Sequence, residues 1–586
     1  MFEFYFTGAV LLLMMSLLTL EIAKPEIIIP STLMVFVMSG IISVKEAVSG
    51  FSNEGMLTIG LLFIIAGTIQ KSGIVDKLFQ SLLKRSFSTK KALIRLLPPI
   101  SLLSAFINNT PIVIAFTPII KKWCEDHNLS PSKFLIPLSY ATILGGMITL
   151  IGTSTNLVVH GLLLENGQKG FAFFELAKVG IPITVIGLFY LIFLAPYLLP
   201  DRMPKSLKEV NSLREFTGEA MITKDFPHLE KTIREAKLRN LKGLFLVSII
   251  RNGEPIAPVS NSSTLLEGDR LIFTGDITTF ADLQQNRGLE LQSSIGEDFP
   301  KKHKLVEVVI SHHSPLLHKK IKETNFRSRY DAAVIAVHRQ NHRLKTKIGD
   351  TILKPGDILL LVAGQDFSKR TDSNDFYFTS EHSRIINSLN DGRTGLYAVI
   401  LLGLMISLVT LGIFPMVSAM AVTAIILTLF KMVNPKEIKD FIQWDVLLII
   451  ACSFGIGYAL TNSGVASFIA DLLIKSTAPI GVLAIIICVY LLTNIFTEMM
   501  TNSAAAVLMF PIVMEVATTM SVSPSALAVA VAIAASASFA TPIGYQTNLI
   551  VYGPGGYRFI DFLKAGLPLS FLTMITTSIL IYFFWM

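Results

Sequence analysis

The sequence predicts a polytopic α-helical membrane protein, built as an inverted repeat with two re-entrant hairpins and two broken helices, plus a cytoplasmic α+β tandem insert. Three observations predict it. Hydrophobic residues make up 52% of the 586 positions and charged ones only 16%, the mean hydropathy is +0.59, and apolar runs long enough to cross a bilayer recur at both ends. Second, Gly152-Thr153-Ser154-Thr155-Asn156-Leu157 returns as Gly544-Tyr545-Gln546-Thr547-Asn548-Leu549, each where an apolar segment turns polar. Third, another polar break precedes each of these: Asn108-Asn109-Thr110 before Pro118, and Thr501-Asn502-Ser503 before Pro511. Irregular backbone at bilayer depth is tolerated only where it lines a polar cavity, so paired breaks in two membrane halves point to a transporter's binding site.

The chain divides into an apolar half at 1–200, a soluble stretch at 201–392 and a second apolar half at 393–586. In the first half, spans are predicted near 5–22, 26–43 and 55–72. The run at 6–20 could pass for a signal peptide, but the chain opens Met-Phe-Glu-Phe with no basic n-region and further spans follow. It is read as a retained helix. Lys77, Lys84, Arg85, Lys90, Lys91 and Arg95 then place the next loop in the cytoplasm. Residues 92–121 carry Pro98-Pro99, Asn108-Asn109-Thr110, Pro111 and Pro118, too many interruptions for one spanning helix. They are read as a re-entrant hairpin with its tip at Asn109 and both arms returning to the cytoplasm, where Lys121, Lys122 and Lys133 lie. A span near 132–160, broken at 152–156, and another near 176–199 complete the half and end in the cytoplasm at Asp201-Arg202.

The last part repeats this plan. Spans near 394–412 and 417–432 lead to a basic loop from Lys431 to Lys439 and a span near 445–462. A hairpin with its tip at Asn502, a broken span near 525–553 and a final span near 565–586 follow. Five spans per half is an odd number, so the second half sits upside down relative to the first. The sparse charge beside the second hairpin, Asp471 and Lys475, suits the outer face.

The middle part is a tandem repeat at a constant offset of 88, with units at 206–291 and 294–379. Leu266-Glu267-Gly268-Asp269-Arg270-Leu271 matches Lys354-Pro355-Gly356-Asp357-Ile358-Leu359. Each unit reads strand, helix, strand, hairpin, strand: 304–310 alternates, 315–323 is expected to be helical, 332–338 is β-rich, and the Gly-Asp turn introduces an apolar strand.

Several function classes drop out. Cys124, Cys452 and Cys488 have no ligand spacing, so they give neither a disulfide framework nor a metal site. The net charge of +8 would suggest nucleic acid only if the basic residues clustered in a soluble patch; many sit in short loops between spans, where the positive-inside rule is the plainer explanation. His312, His313 and His318 have no Cys or carboxylate at ligand spacing and read as solvated surface. No Ser/His/Asp set, His-Glu-x-x-His or carboxylate cluster supports an enzyme.

The breaks can bind ions. A hairpin tip aims helix N-terminal amides at one point, where partial positive charge favours an anion. Asn108, Asn109, Thr110, Thr501, Asn502 and Ser503 add neutral donors as the substrate site. The stretches 152–156 and 544–548 are expected to be unwound, so that Gly152, Thr155, Asn156, Gly544, Thr547 and Asn548 offer oxygens to a hard monovalent cation such as sodium. Asn and Thr in apolar helices are commonly interhelical glue, but four breaks in a two-by-two pattern favour binding. Glu498, one turn before the second tip, matches Ala105 by offset and is read as holding the hairpin by hydrogen bonds, with ion coupling as the alternative.

Asn108-Asn109-Thr110-Pro111-Ile112-Val113, followed by Leu144-Gly145-Gly146-Met147-Ile148-Thr149-Leu150-Ile151-Gly152-Thr153-Ser154-Thr155-Asn156-Leu157, resembles the divalent anion:sodium symporter family of the ion transporter superfamily, across both membrane parts. That resemblance implies paired Ser-Asn-Thr signatures contacting substrate at two hairpin tips, sodium sites beside the broken helices, and a homodimer working by an elevator-like movement. Here the signatures read Asn108-Asn109-Thr110 and Thr501-Asn502-Ser503, with the central Asn kept and the flanks changed. The middle units resemble the C-terminal regulatory domain of TrkA potassium-uptake proteins, the RCK-C type. The inserts suggest the sulfate-type branch, and a regulatory nucleotide such as cyclic di-AMP or a dimerisation role for the inserts.

The resulting expectation is an integral protein of a bacterial inner membrane, with 201–392 in the cytoplasm. It would import a small divalent oxyanion, sulfate first, with sodium. Its partners would be that anion, bilayer lipid and a second copy of the chain. A dicarboxylate substrate such as succinate or citrate, proton coupling, and a ligand-gated ion channel remain the rival readings.

Overall fold

The computed structural model describes residues 1–19, 23, 25–71, 88–127, 129–202, most of 217–378, 392–430, 432–433, 435–477 and 479–586. Lys77, Lys84, Arg85, His312 and His313 lie outside the described residues. The chain forms two units. One comprises Met1–Asp201, Ile385–Val551 and Phe559–Met586; the other comprises Arg202–Arg384 and Tyr552–Arg558.

The first unit is helical. In its N-terminal part lie α1 (Phe2–Thr19), α2 (Pro25–Met38), α3 (Glu54–Lys71), α4 (Thr89–Ser104), α5 (Asn109–Asp126), α6 (Leu135–Gly146), α7 (Ser154–Glu165) and α8 (Ala177–Phe193). Its C-terminal part holds α9 (Gly392–Thr410), α10 (Met416–Leu429), α11 (Trp444–Asn462), α12 (Val465–Thr477), α13 (Val482–Met499), α14 (Asn502–Met520), α15 (Pro524–Ser536), α16 (Gln546–Tyr552) and α17 (Phe559–Trp585). Among the described residues, four helical stretches are long and apolar enough to cross a membrane: Val44–Ile69, Val482–Met499, Asn502–Met520 and Phe559–Trp585. A fifth counts if α11 and α12, bent by 70° at their junction, form one span. Several predicted spans are shorter than expected because the chain breaks them. At 1.5 Å per residue the 13 residues of α15 reach only about 20 Å of a ~30 Å hydrocarbon core.

Two helix groups pack within this unit. α1–α3 associate with α9–α12, and α4–α8 associate with α13–α15 and α17. They meet where α3 packs on α7 and where α11 and α12 pack on α14. The centre of the second group is α6, whose residues are all buried, and α15, buried from Ala526 to Ser536. Helices apolar all round must be enclosed on every side by other helices or lipid, and here helices enclose them.

Prolines do not set the interruption in 92–121. Pro98 and Pro99 lie inside α4 and Pro118 inside α5; the chain turns at 105–108 instead. Each proline deletes one backbone donor, a loss that neighbouring helices and side-chain hydroxyls can offset at bilayer depth.

The second unit contains two five-stranded antiparallel sheets. The first has order β3-β2-β4-β1-β5, from β1 (Thr217–Ile222), β2 (Leu244–Arg251), β3 (Glu254–Ile256), β4 (Arg270–Gly275) and β5 (Leu289–Gln292). The other has order β10-β6-β9-β7-β8, from β6 (Lys304–Ile310), β7 (Ala332–Arg339), β8 (His342–Arg343), β9 (Ile358–Ala363) and β10 (Phe376–Phe378). Read from the opposite edge, the two orders coincide strand for strand. Each sheet carries one bulge, between Leu246 and Ser248 and between Val334 and Ala336.

The expected helix at 315–323 does not form. That stretch is a series of turns ending in a 3-10 turn, Ile321–Glu323, and a short α-helix follows only at Phe326–Tyr330. The reason is local: His318 adopts a left-handed φ of 61° and Lys320 makes a bridge to Ile352, as Glu230 and Thr232 do in the first repeat.

A bidentate ion pair pins each Gly-Asp turn. Arg251 reaches Asp269 through Nε and Nη2 at 2.8 Å each, and Arg339 reaches Asp357 the same way at 2.7 Å each. Both carboxylates also accept from a turn amide, Leu266 N and Lys354 N. Asp357→Ala is therefore expected to destabilise the second sheet by about 2–4 kcal/mol, less than a fully enclosed pair would lose because the guanidinium is partly solvated. Limited proteolysis and thermal unfolding of the full chain would register it as cleavage and early melting confined to 304–378.

Candidate functional site

Two hairpin tips and two helix breaks supply the predicted site residues, and the first unit brings them together in one polar region. α4 ends at Ser104 and α5 begins at Asn109; α13 ends at Met499 and α14 begins at Asn502. Pro111 falls in the first turn of α5, where its missing N–H costs nothing because first-turn donors have no helical partner. Both turns are closed by the same bond. Ser104 Oγ donates to Asn109 Oδ1 at 2.6 Å, and Thr497 Oγ1 donates to Asn502 Oδ1 at 2.9 Å. The asparagine carbonyls are thereby spent on the turns, which leaves their NH2 groups to act elsewhere. Asn109 Nδ2 donates to Tyr545 Oη at 2.6 Å. Asn502 Nδ2 has no protein partner among the described residues. Thr110 and Ser503 are buried, Asn108 is half-buried and Thr501 is exposed.

The breaks lie slightly upstream of their predicted places. α7 starts at Ser154 and α16 at Gln546, so the unwound stretches are 147–153 and 537–545. Thr155, Asn156, Thr547 and Asn548 consequently occupy first helical turns, and the free carbonyls come from the residues before them. The two asparagines span their breaks alike. Asn156 Nδ2 donates to Gly146 O (3.3 Å) and Thr149 O (2.9 Å); Asn548 Nδ2 donates to Ser538 O and Thr541 O (3.0 Å each). Gly152 and Gly544 permit the close return of the chain. A Cβ on Gly152 would lie 2.5 Å from Gly146 O, and one on Gly544 would lie 2.1 Å from Ser538 Oγ.

The acceptor side of each break differs. At the first, Thr155 Oγ1 and Asn156 Oδ1 are buried with no hydrogen-bond partner. Buried oxygens without partners are rare and costly, and a dehydrated cation is what such a pair could hold. At the second, Ser139 Oγ donates to Asn548 Oδ1 at 2.7 Å and lies 2.9 Å from Thr547 Oγ1.

Glu498 completes the second break rather than its own hairpin alone. Oε1 accepts from Ala540 N at 2.8 Å, and Oε2 accepts from Thr541 N at 2.9 Å and Thr541 Oγ1 at 2.7 Å. In the first half Thr149 Oγ1 instead donates to the carbonyl of Ala105. Sequence reasoning missed Tyr545, Gln546 and Ser139. The first two stood in the aligned repeat as its unmatched positions, Thr153-Ser154 against Tyr545-Gln546, and that mismatch was a usable signal. Ser139 carried none.

The chain matches the family model described as citrate transporter over residues 9–534 and 500–586. A protein of Chlamydomonas reinhardtii, whose name describes a sulfur deprivation response regulator, is 34% identical over 93% of this chain and 96% of its own length. An uncharacterized transporter of Synechocystis sp. is 32% identical, covering 97% and 95%. Sodium/sulfate cotransporter 1 of Chlamydomonas reinhardtii is 24% identical, covering 92% and 85%.

Proposed function

This chain belongs to the citrate transporter family, and we propose that it imports a small divalent oxyanion, sulfate first, together with sodium. It is an integral membrane transporter and not an enzyme. The observation that carries the reading is the pairing of two unlike polar features in one apolar bundle. The hairpin tips offer neutral donors at the N-termini of α5 and α14, and the first break offers two buried, unpartnered oxygens, Thr155 Oγ1 and Asn156 Oδ1. Donors attract the anion, and bare oxygens attract the cation.

Substrate would contact Asn108, Asn109, Thr110, Thr501, Asn502 and Ser503. Cations would sit with Gly152, Thr155 and Asn156, and with Gly544, Thr547 and Asn548. No predicted contact residue is charged, so the anion's charge is balanced by helix dipoles and the co-bound cations. This makes binding of one ion favour the other, which is the basis of coupling. Citrate is the substrate that the family description names, and sulfate is named for the 24% relative. Sulfate is preferred because the inserted tandem unit resembles that of the sulfate-type branch. The helix group of α4–α8 and α13–α17 would move against α1–α3 and α9–α12 in a homodimer, with the two halves inverted and the insert cytoplasmic.

Uptake of radiolabelled sulfate into proteoliposomes, with and without an inward sodium gradient and with unlabelled succinate or citrate as competitors, tests this. The expected result is sodium-dependent accumulation that neither dicarboxylate nor tricarboxylate suppresses. Accumulation driven equally by a proton gradient without sodium would overturn the coupling ion, and absence of sulfate uptake by folded protein would overturn the substrate.

A further inference from the structure

The repeats at 152–157 and 544–549 differ at two positions, and the side chains of the second repeat there point at the other half of the molecule. Where the first break has Thr153-Ser154, the second has Tyr545-Gln546. Both larger side chains cross to the first hairpin tip. Tyr545 Oη accepts from Asn109 Nδ2 at 2.6 Å, and Gln546 Oε1 accepts from Thr110 Oγ1 at 3.1 Å. Thr153 Oγ1 lies 3.3 Å from the same phenol oxygen.

The main chain that bears Tyr545 lies beside the second tip. A Cβ on its neighbour Gly544 would come within 2.9 Å of Glu498 Oε2 and 3.0 Å of the Thr497 carbonyl. Thr497 is the residue whose hydroxyl holds Asn502. Tyr545 therefore follows a residue that lies against the last turn of α13, which leads into the second tip, and its phenol reaches the first tip. An anion held by both tips has only the space that this ring leaves. Tyr545 is only 8% exposed and its ring is fixed at the far end by Asn109, so it cannot swing aside without breaking a buried bond. Packed interiors do not compress to admit a larger guest.

We propose that Tyr545 sets the size limit of the substrate, admitting a compact single-centre dianion and excluding dianions whose carboxylates are spread along a carbon chain. This rests on the proposed reading of the two tips as the anion site. Asn109 supplies the proton in its bond to Tyr545, so the phenolic O–H remains available to Thr153 or to the anion. Tyr545 thus contributes volume through its ring and a donor through its hydroxyl, and the two can be separated by substitution.

The experiment measures uptake of labelled sulfate and labelled succinate into proteoliposomes by the full chain, by Tyr545→Phe and by Tyr545→Thr, the residue of the first half. The wild type is expected to carry sulfate and not succinate. Tyr545→Phe keeps the ring and is expected to keep that exclusion, with a raised KM for sulfate. Tyr545→Thr is expected to raise succinate uptake about tenfold over the wild type and to lose sulfate affinity, since one enlarged pocket shifts discrimination by one to two orders of magnitude. If Tyr545→Thr loses its monodisperse size-exclusion peak, Tyr545→Leu replaces it, with the same expectation. Folded variants that still carry sulfate and still exclude succinate would overturn the role of Tyr545 and leave the anion site standing. A wild type that carries succinate as well as sulfate would do the same. A wild type that carries neither would overturn the anion-site reading itself.

Discussion

Thr155→Val gives a protein that is at least as stable as the wild type and no longer responds normally to sodium. The hydroxyl it removes is buried and has no partner in the protein. An unsatisfied buried polar atom costs about 1–3 kcal/mol, and valine fills nearly the same space without that cost. Thermal unfolding in detergent should therefore rise or stay level. Transport should move the other way, with the half-saturating sodium concentration raised about tenfold or more as one cation-holding oxygen is lost. A residue that served only packing could not produce opposite signs in the two measurements. Unchanged sodium dependence in the folded variant would remove Thr155 from the cation site.

Asn502→Ala abolishes uptake at little cost to the fold, whereas Asn109→Ala abolishes uptake and weakens the fold as well. The difference lies in how much of each side chain is already committed. Asn502 accepts one bond, from Thr497, and its NH2 group has no protein partner among the described residues. Asn109 is almost fully buried, accepts from Ser104 and donates to Tyr545. Truncating it strands the buried Ser104 hydroxyl, at about 1–3 kcal/mol, and leaves the Tyr545 phenol with Thr153 alone. Both variants should lose sulfate uptake by roughly 100-fold or more, while only Asn109→Ala should show a clearly lower unfolding temperature. Normal transport by folded Asn502→Ala would mean that the second tip does not touch the anion.

The repeat at 152–157 and 544–549 was the most legible feature of the chain, because a polar cluster inside an apolar run has few structural uses. It located Asn156 and Asn548, whose bonds across the breaks are alike in both halves. Helix start points were less legible. Thr155 and Thr547 belong to first turns rather than to unwound chain, since the segments before them give up their helical bonds instead. Prolines 98 and 99 were misleading, because a proline's missing donor matters less where side-chain hydroxyls and adjacent helices compensate. In the second unit, the alternation at 304–310 marked a strand correctly, but the helix expected at 315–323 gave way to turns around the left-handed His318. A long-range bridge such as Lys320 to Ile352 has no local signature. Contacts between the halves, such as Ser139 with Asn548, were invisible for the same reason: neither partner's neighbours in sequence report on the other.

The enclosure of α6 and α15 has a consequence for how the protein is made. A segment leaving the ribosome is handed to lipid by the insertion machinery according to its own length and hydrophobicity. α6 and α15, with 12 and 13 residues, are too short to stay there alone. Each also ends in a break whose carbonyls need asparagine donors that emerge only after it, Asn156 for one and Asn548 for the other. Both short helices must therefore be retained near the insertion site until their following segments arrive. The last helix that encloses α15 is α17 (Phe559–Trp585), so the transporter's centre can be sealed only once that helix has joined it.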